Sequence, residues 1–358
     1  MQRKCKNEKR EVMFAKRDLL CALCLLISFF VGANSAAHID AYEKKLLRAD
    51  EIRSSHREEF NRLVKELVTE QSYLKEKQKV YLSYLLGYQQ LIAGNLDVGI
   101  NLLNKVIEDG RFEELKYRAI ITKINAHTTS KNYAEGFIVL NNLLPKLKSL
   151  DNSRTYQEAL IVVSIFYSRL GQYDLSRQYA TQLLNSEPSG KFECIGLLLD
   201  IESSYFLGLL SVKDIDPNWT AACELVNEPI ASNNIRLVAA RIYLDNQQPK
   251  RALDLLQANL TEAKETGYYL LIDQFYTYIA QAYYDSGEHA TAEEFALKVI
   301  DNIGALHSSY AIVFASELLY KISKERGDFG KALDYHEQHL HFSHEYRDDL
   351  KSTQRHRC

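Results

Sequence analysis

From about residue 80 onward the apolar positions follow one repeated pattern. A stretch with helical three-and-four spacing is followed by a tight turn and a second such stretch. The turns read Gly94-Asn-Leu, Lys131-Asn-Tyr, Gly171-Gln-Tyr, Gln247-Gln-Pro, Gly287-Glu-His and Gly327-Asp-Phe, separated by 37, 40, 76, 40 and 40 residues. The gap of 76 is twice 38, which places one degenerate repeat at Lys191–Ile230, interrupted by Asp214-Ile-Asp-Pro217. A period near 40 with two helices per unit predicts an all-α solenoid of about six to seven helical hairpins over residues 80–350. Residues 38–79 are predicted to be helical without the repeat, as two amphipathic segments, Ile39–Arg53 and His56–Val68. Ser55-His-Arg-Glu58 has the spacing of a capping box at the second start. An atypical leading unit fits a solenoid, whose terminal face must be covered. Residues 351–358 form a polar tail.

Residue types inside the unit narrow its kind. Seven positions before the turn stand Gly87, Ser164, Ala240 and Ala280, and five after it Gly99, Gly136, Ser176, Ala252, Ala292 and Ala332. Tyr167, Tyr243 and Tyr283 precede their turns by four. Small residues let paired helices approach and a ring fills the space beside them. This pattern resembles the tetratricopeptide repeat, with Tyr320 and Ile124 departing from it at the small position. The same spacing makes most of the 23 tyrosines packing residues, Tyr81, Tyr84, Tyr88, Tyr268, Tyr269, Tyr276 and Tyr283 among them.

The N-terminus differs in kind. Leu19–Val31 is an unbroken apolar run of thirteen residues, preceded by Lys16 and Arg17 and followed by Ala33-Asn-Ser35 and Ala36-Ala37. It is too short to span a bilayer and has the layout of a signal peptide over residues 1–37. Met13 reads as the natural start, with residues 1–12 a misassigned extension. The expected location is therefore exported, in the periplasm of a Gram-negative bacterium, with cleavage after Ser35 or Ala37. Of six cysteines, Cys194, Cys223 and Cys358 remain after cleavage. Buried free thiols are the expected state, with a Cys194–Cys223 pair as the alternative. Removing residues 1–37 takes 7 of 44 bases and 3 of 47 acids, leaving 37 against 44 and a net charge of −7. That balance disfavours nucleic acid as a partner.

Three stretches are more specific than the generic repeat: Leu47-Arg-Ala-Asp-Glu-Ile-Arg-Ser-Ser55 followed by Phe60, Tyr81-Leu-Ser-Tyr-Leu-Leu-Gly-Tyr88, and Lys331-Ala-Leu-Asp-Tyr-His-Glu-Gln-His339. Together they resemble the exported tetratricopeptide sensor region of membrane-bound GGDEF-type diguanylate cyclases. The likeness covers roughly residues 13–350. It implies a following membrane helix and a cytoplasmic domain that makes cyclic di-GMP from GTP with magnesium. No GGDEF motif occurs, and Arg326-Gly-Asp-Phe329 is a repeat turn, so no catalytic residue carries over. A truncated cyclase gene and an independent sensor-like protein are both open readings.

No P-loop, GxGxxG, GxSxG or HExxH appears, so no catalytic residue and no cofactor is expected. On the last helix Glu337, His341, His344 and Asp348 share a face, a weak metal-binding pattern whose plainer reading is a solvated surface. His127 and His289 are expected to serve turns or packing. A solenoid binds on its concave face, lined by the first helix of each unit. Counting back from the turns puts Arg118, Asn125, Arg169, Arg241, Gln274, Gln281 and Tyr284 there, polar groups suited to a peptide backbone or a carboxylate. The expected function is binding of a peptide, protein or small ligand as sensory input to signalling. The alternatives are a truncated cyclase fragment, a periplasmic scaffold and a metal-binding protein. A homodimer is open, and membrane contact would come only through an uncleaved signal or a missing downstream segment.

Overall fold

The computed structural model describes residues 40–53, 56–150, 153–301 and 309–354, with side chains of 309 and 345–354 outside the described set. The signal-peptide reading and Ser55 of the expected capping box therefore lie outside the described residues. Within them the chain is all-helical, and no helix is long and apolar enough to cross a membrane. The described residues fall into two compact units, divided between Leu102 and Leu103.

In the first unit, α1 (Ala41–Ile52), α2 (Arg57–Thr69) and α3 (Glu76–Ile92) pack together, and α4 begins at Leu96 and runs on to Asp109. The Asp40 carboxylate caps α1 by accepting from the Tyr42 amide at 3.0 Å, whereas α2 starts at His56 with no side-chain cap. Asp50 is buried, accepts from the Tyr81 hydroxyl at 2.8 Å and pairs with Arg53. The Arg53 guanidinium lies 5.1 Å from the Tyr88 ring centre. The expected packing role of Tyr81 and Tyr84 is met, since both rings are buried.

The second unit continues with α5 (Glu113–Thr129), α6 (Tyr133–Leu143), the short α7 (Leu147–Leu150), α8 (Arg154–Arg169), α9 (Tyr173–Asn185), α10 (Lys191–Phe206) and α11 (Ala221–Leu225). Then come α12 (Pro229–Asp245), α13 (Pro249–Glu265), α14 (Tyr269–Asp285), α15 (His289–Asp301), α16 (Ser309–Arg326) and α17 (Phe329–Gln354). Helix pairs α5–α6, α8–α9, α12–α13, α14–α15 and α16–α17 are consecutive hairpins, and first helices also touch across repeats, as α12 does α14 and α14 does α16.

Every turn anticipated from the sequence has the same backbone. Gly94, Lys131, Gly171, Gln247, Gly287 and Gly327 are left-handed, with φ between 56° and 86°. The amide of the next residue donates five residues back: Asn132 to His127 O, Gln172 to Tyr167 O, Gln248 to Tyr243 O, Glu288 to Tyr283 O and Asp328 to Ser323 O, at 2.8–2.9 Å. This closes the first helix with a Schellman bond and leaves the chain aimed into the second. Pro249 then starts α13 at a position where a proline loses no helical bond.

The small positions hold the hairpins close. Ala240, Ala252, Ala280 and Ala292 are essentially fully buried. In α8 and α9 the same positions are serines, and the Ser164 hydroxyl donates to Ser176 O at 2.8 Å. Ser203 of α10 joins them through the Ser176 hydroxyl at 2.9 Å. At Gly136 an added Cβ would stand 2.8 Å from the Phe166 ring and 3.3 Å from the His127 Cβ.

The degenerate repeat has its own turn, Gly208 at φ 68°, with Leu209 N donating to Ser204 O. Its second helix is reduced to α11, reached through an irregular stretch with a single 3-10 turn at Val212–Asp214. The expectation of free thiols is corrected here. Cys194 and Cys223, both fully buried, form a disulfide with Cα atoms 4.7 Å apart. A five-residue helix buries too little to hold itself in place, and the bond anchors it to α10 inside a cluster with Ile201, Ile235, Val238 and Ile242.

Two outcomes are expected. Gly136→Ala should destabilise the protein by about 1–3 kcal/mol through overpacking against Phe166, despite alanine's better helix propensity. Gly330→Ala, where a Cβ meets only Asp328 Oδ1 at 3.8 Å, should be neutral or slightly stabilising in the same denaturant titration. Replacing both Cys194 and Cys223 by alanine should cost about 3–4 kcal/mol for a loop closed over 29 residues. The loss should show first as faster hydrogen exchange in residues 208–227.

Candidate functional site

The repeat geometry puts one residue of each first helix at the same place. Six residues before the left-handed turn residue stand Asn125, Ile165, Glu202, Arg241, Gln281 and Lys321. Five of the six are polar, although nearly all residues immediately flanking them are buried. A polar residue recurring at one register of a packed helix faces outward, here into the groove of the second unit.

Between α10, α12, α14 and α16 this face deepens into a cavity of about 350 Å³. Arg241 lines it beside Tyr205 and Tyr278, its guanidinium carbon 4.6 Å from the Tyr205 ring centre, 5.0 Å from that of Phe206 and 5.7 Å from that of Tyr278. Guanidinium stacking on aromatic faces is favourable and holds the side chain in place. No carboxylate lies within ion-pair distance of Arg241 among the described residues. Asp245 and Asp285 line the same cavity. Each is one helical turn beyond the groove residue of its own helix. Asp245 accepts from the Tyr205 hydroxyl at 2.7 Å, and Asp285 from the Gln281 amide at 2.7 Å. Tyr278 and Tyr310 bring their hydroxyls to 3.2 Å of one another. Phe314, Ala315 and Leu318 form the apolar wall on α16.

Burial governs the titrating groups. It pushes the Tyr205 phenol up to about 12, helped by the bond to Asp245 and opposed by Arg241. It raises Tyr278 well above the usual tyrosine range, again against the pull of Arg241. Both hydroxyls therefore stay protonated donors near neutral pH. Burial also raises Asp285. Glu202, partly exposed by area yet surrounded by protein atoms, is raised by desolvation while Arg169 and Arg241 pull it down.

The seven residues expected in the groove divide as follows. Arg241 and Gln281 line the cavity. Arg169 is exposed at the end of α8 and its field reaches Glu202; Asn125 is exposed on α5. Gln274 is half-buried on α14 and is not a lining residue. Tyr284 donates to Glu325 at 2.7 Å and stacks on His289, with ring centres 4.8 Å apart. Arg118 is buried and pairs with Glu158 at 3.3 Å, so it sits inside the packing rather than on the open face. Sequence reasoning missed Tyr205, Tyr278, Tyr310, Asp245 and Asp285. The recurrence of an acid four residues after Arg241 and after Gln281 was the available signal.

On α17, His341 and His344 are exposed, and the Asp348 side chain lies outside the described residues. His339 instead turns inward, its Nδ1 3.1 Å from Val313 O. No group of three or more His, Cys, Asp or Glu side chains converges on a metal position among the described residues. Tyr268 and Tyr269, expected in the packing, are exposed.

No protein-family model matches this chain, and no curated protein sequence does. Similar solved structures include the following two. One is a Rap protein complexed with Competence and Sporulation Factor, at 13% identity and TM-score 0.58 over 93% of this chain and 94% of that one. The other is a signal transduction ATPase with numerous domains carrying a tetratricopeptide repeat sensor, from Pyrococcus horikoshii. It has 13% identity and TM-score 0.63 over 87% of this chain and half of that one. The fold is a tetratricopeptide-type helical repeat. At this identity the likeness establishes the fold alone.

Glu202→Gln should raise the melting temperature at pH 7. A carboxyl raised by folding costs stability wherever it is ionised. The gain should therefore fade as pH falls through the folded-state pKa and vanish below about 4.3, the ordinary glutamate value. Parallel thermal melts of both proteins from pH 4 to 7 measure it.

Proposed function

We propose that this protein is an exported binding protein that takes a peptide or protein segment along the groove of its second unit, as the input of a signalling system. The observation that carries the reading is the polar register Asn125, Glu202, Arg241, Gln281 and Lys321, repeated along the first helices. Groups at a fixed repeat spacing offer an extended chain one set of directed donors and acceptors after another. A Rap protein of similar fold, solved with Competence and Sporulation Factor bound, supports a binding role by analogy of fold.

Export rests on the apolar run at residues 19–31 and is supported by the Cys194–Cys223 disulfide, a bond that persists in oxidising compartments. The periplasm of a Gram-negative bacterium is the corresponding location. The signalling role rests on the likeness of residues 47–55, 81–88 and 331–339 to the sensor region of GGDEF-type cyclases. On this reading groove occupancy alters the curvature or association of the repeat and so reports the ligand.

The test is selection of a random peptide library on the purified protein, followed by titration of enriched peptides. Recurrent sequences binding at micromolar Kd are expected, with about a tenfold loss in Arg169→Glu, an exposed groove change that leaves the core intact. Absence of enrichment, or equal affinity in that variant, refutes the groove reading.

A further inference from the structure

We infer that the cavity between α10, α12, α14 and α16 is a site for a free apolar α-amino acid, bound as its zwitterion. This goes beyond the groove reading: the cavity shares Arg241 and Gln281 with the polar register, but the inference rests on the cavity's own lining. The cavity, about 350 Å³, is of small-molecule size and too small for a folded segment. Its walls carry both charges. Arg241 is held between aromatic rings with its donors uncommitted to any carboxylate in ion-pair range, the arrangement that receives a carboxylate in bidentate fashion. Asp245 and Asp285 each have one oxygen engaged, by Tyr205 and by Gln281, and keep the other for an ammonium donor. Arg241 and Asp245 stand four apart on α12, hence on one face, about 5–6 Å apart at the Cβ atoms. Long side chains converging from that separation can hold the two charged groups of one α-carbon. Phe314, Ala315 and Leu318 then face the substituent on that carbon, and they are apolar.

Other small ligands fit less well. A phosphate or dicarboxylate would meet Arg241 but face two carboxylates in the same cavity. A simple amine would satisfy the acids but leave its charge near the guanidinium. A neutral internal peptide segment would supply neither the carboxylate that Arg241 can receive nor the ammonium that Asp245 and Asp285 can. A molecule with one charge of each sign and an apolar body matches all three walls.

Calorimetry and thermal shift on the purified protein test this with L-leucine, L-methionine and L-phenylalanine. N-acetyl-leucine, leucinamide and inorganic phosphate serve as comparators. At least one apolar L-amino acid is expected to bind saturably. Its blocked forms, each missing one charge, should bind at least about tenfold more weakly, and phosphate should not compete. Arg241→Gln should weaken the amino acid by a similar factor. Asp245→Asn with Asp285→Asn should weaken the amino acid more than N-acetyl-leucine. The blocked-ligand series is run on the unaltered protein, so it decides the matter even if a variant fails to fold. No binding of any of the three amino acids at millimolar concentration overturns the inference. So does N-acetyl-leucine or leucinamide binding as tightly as leucine. Either result leaves peptide binding along the groove untouched, and failure of peptide selection leaves this site untouched.

Discussion

The close approach of the two helices in each hairpin is the constraint on which the second unit depends. A hairpin of two short amphipathic helices is not stable alone, and it becomes so only by burying its seam and then stacking on the next. The seam is set by residues too small to keep the helices apart, alanine at Ala240, Ala252, Ala280 and Ala292, serine at Ser164 and Ser176, glycine at Gly136. The left-handed turn residue fixes the relative phase of the two helices, and its identity is secondary, because Lys131 and Gln247 adopt the same conformation as the glycines. A non-glycine there costs on the order of 1 kcal/mol, a cost the surrounding repeat offsets.

Groove chemistry follows from that regularity. Once the first helices are held in one register, a residue chosen at one position recurs along a line. Most of that line is at least partly exposed and can carry charge. The inter-repeat bonds from Tyr205 to Asp245 and from Tyr284 to Glu325 use the same logic, an aromatic hydroxyl of one repeat meeting an acid of the next, 40 and 41 residues on. They tie neighbouring first helices at the turn end while leaving the middle of the face open. Arg241 differs from Arg118 in this respect. Arg118 lies where the helices meet and is neutralised by Glu158, as a buried charge must be. Arg241 lies where they part and is held by ring faces, which stabilise a cation without cancelling it.

The degenerate repeat shows what happens when the seam is lost. From Ser211 to Asn227 the chain supplies no second helix of ordinary length, so α10 would be left with a bare flank. The disulfide and the cluster around Ile235 and Val238 close it. A covalent bond replaces area here, the usual recourse when a small segment cannot bury enough. The uninterrupted repeats on either side have no such bond among the described residues.

What the sequence by itself determined was everything that depends on period. Helical spacing, the turns at 94, 131, 171, 247, 287 and 327, the small seam positions and the interruption at Asp214-Ile-Asp-Pro217 are local or recur at a fixed interval, so one chain shows them several times over. Helix burial followed too, since apolar spacing and packing are two views of one face. The tertiary structure alone decided which polar residues meet. Arg118 and Arg241 are both expected on the open face, and the crossing of α5 with α8 and of α12 with α14 makes one a buried ion pair with Glu158 and the other a cavity wall. Cys194 and Cys223 are 29 residues apart with no spacing rule to join them, and their pairing waited on where α11 folds back. The physical reason is the same in each case. Periodicity encodes direction around a helix, whereas a site is made by distances between helices, which arise only when the seams close.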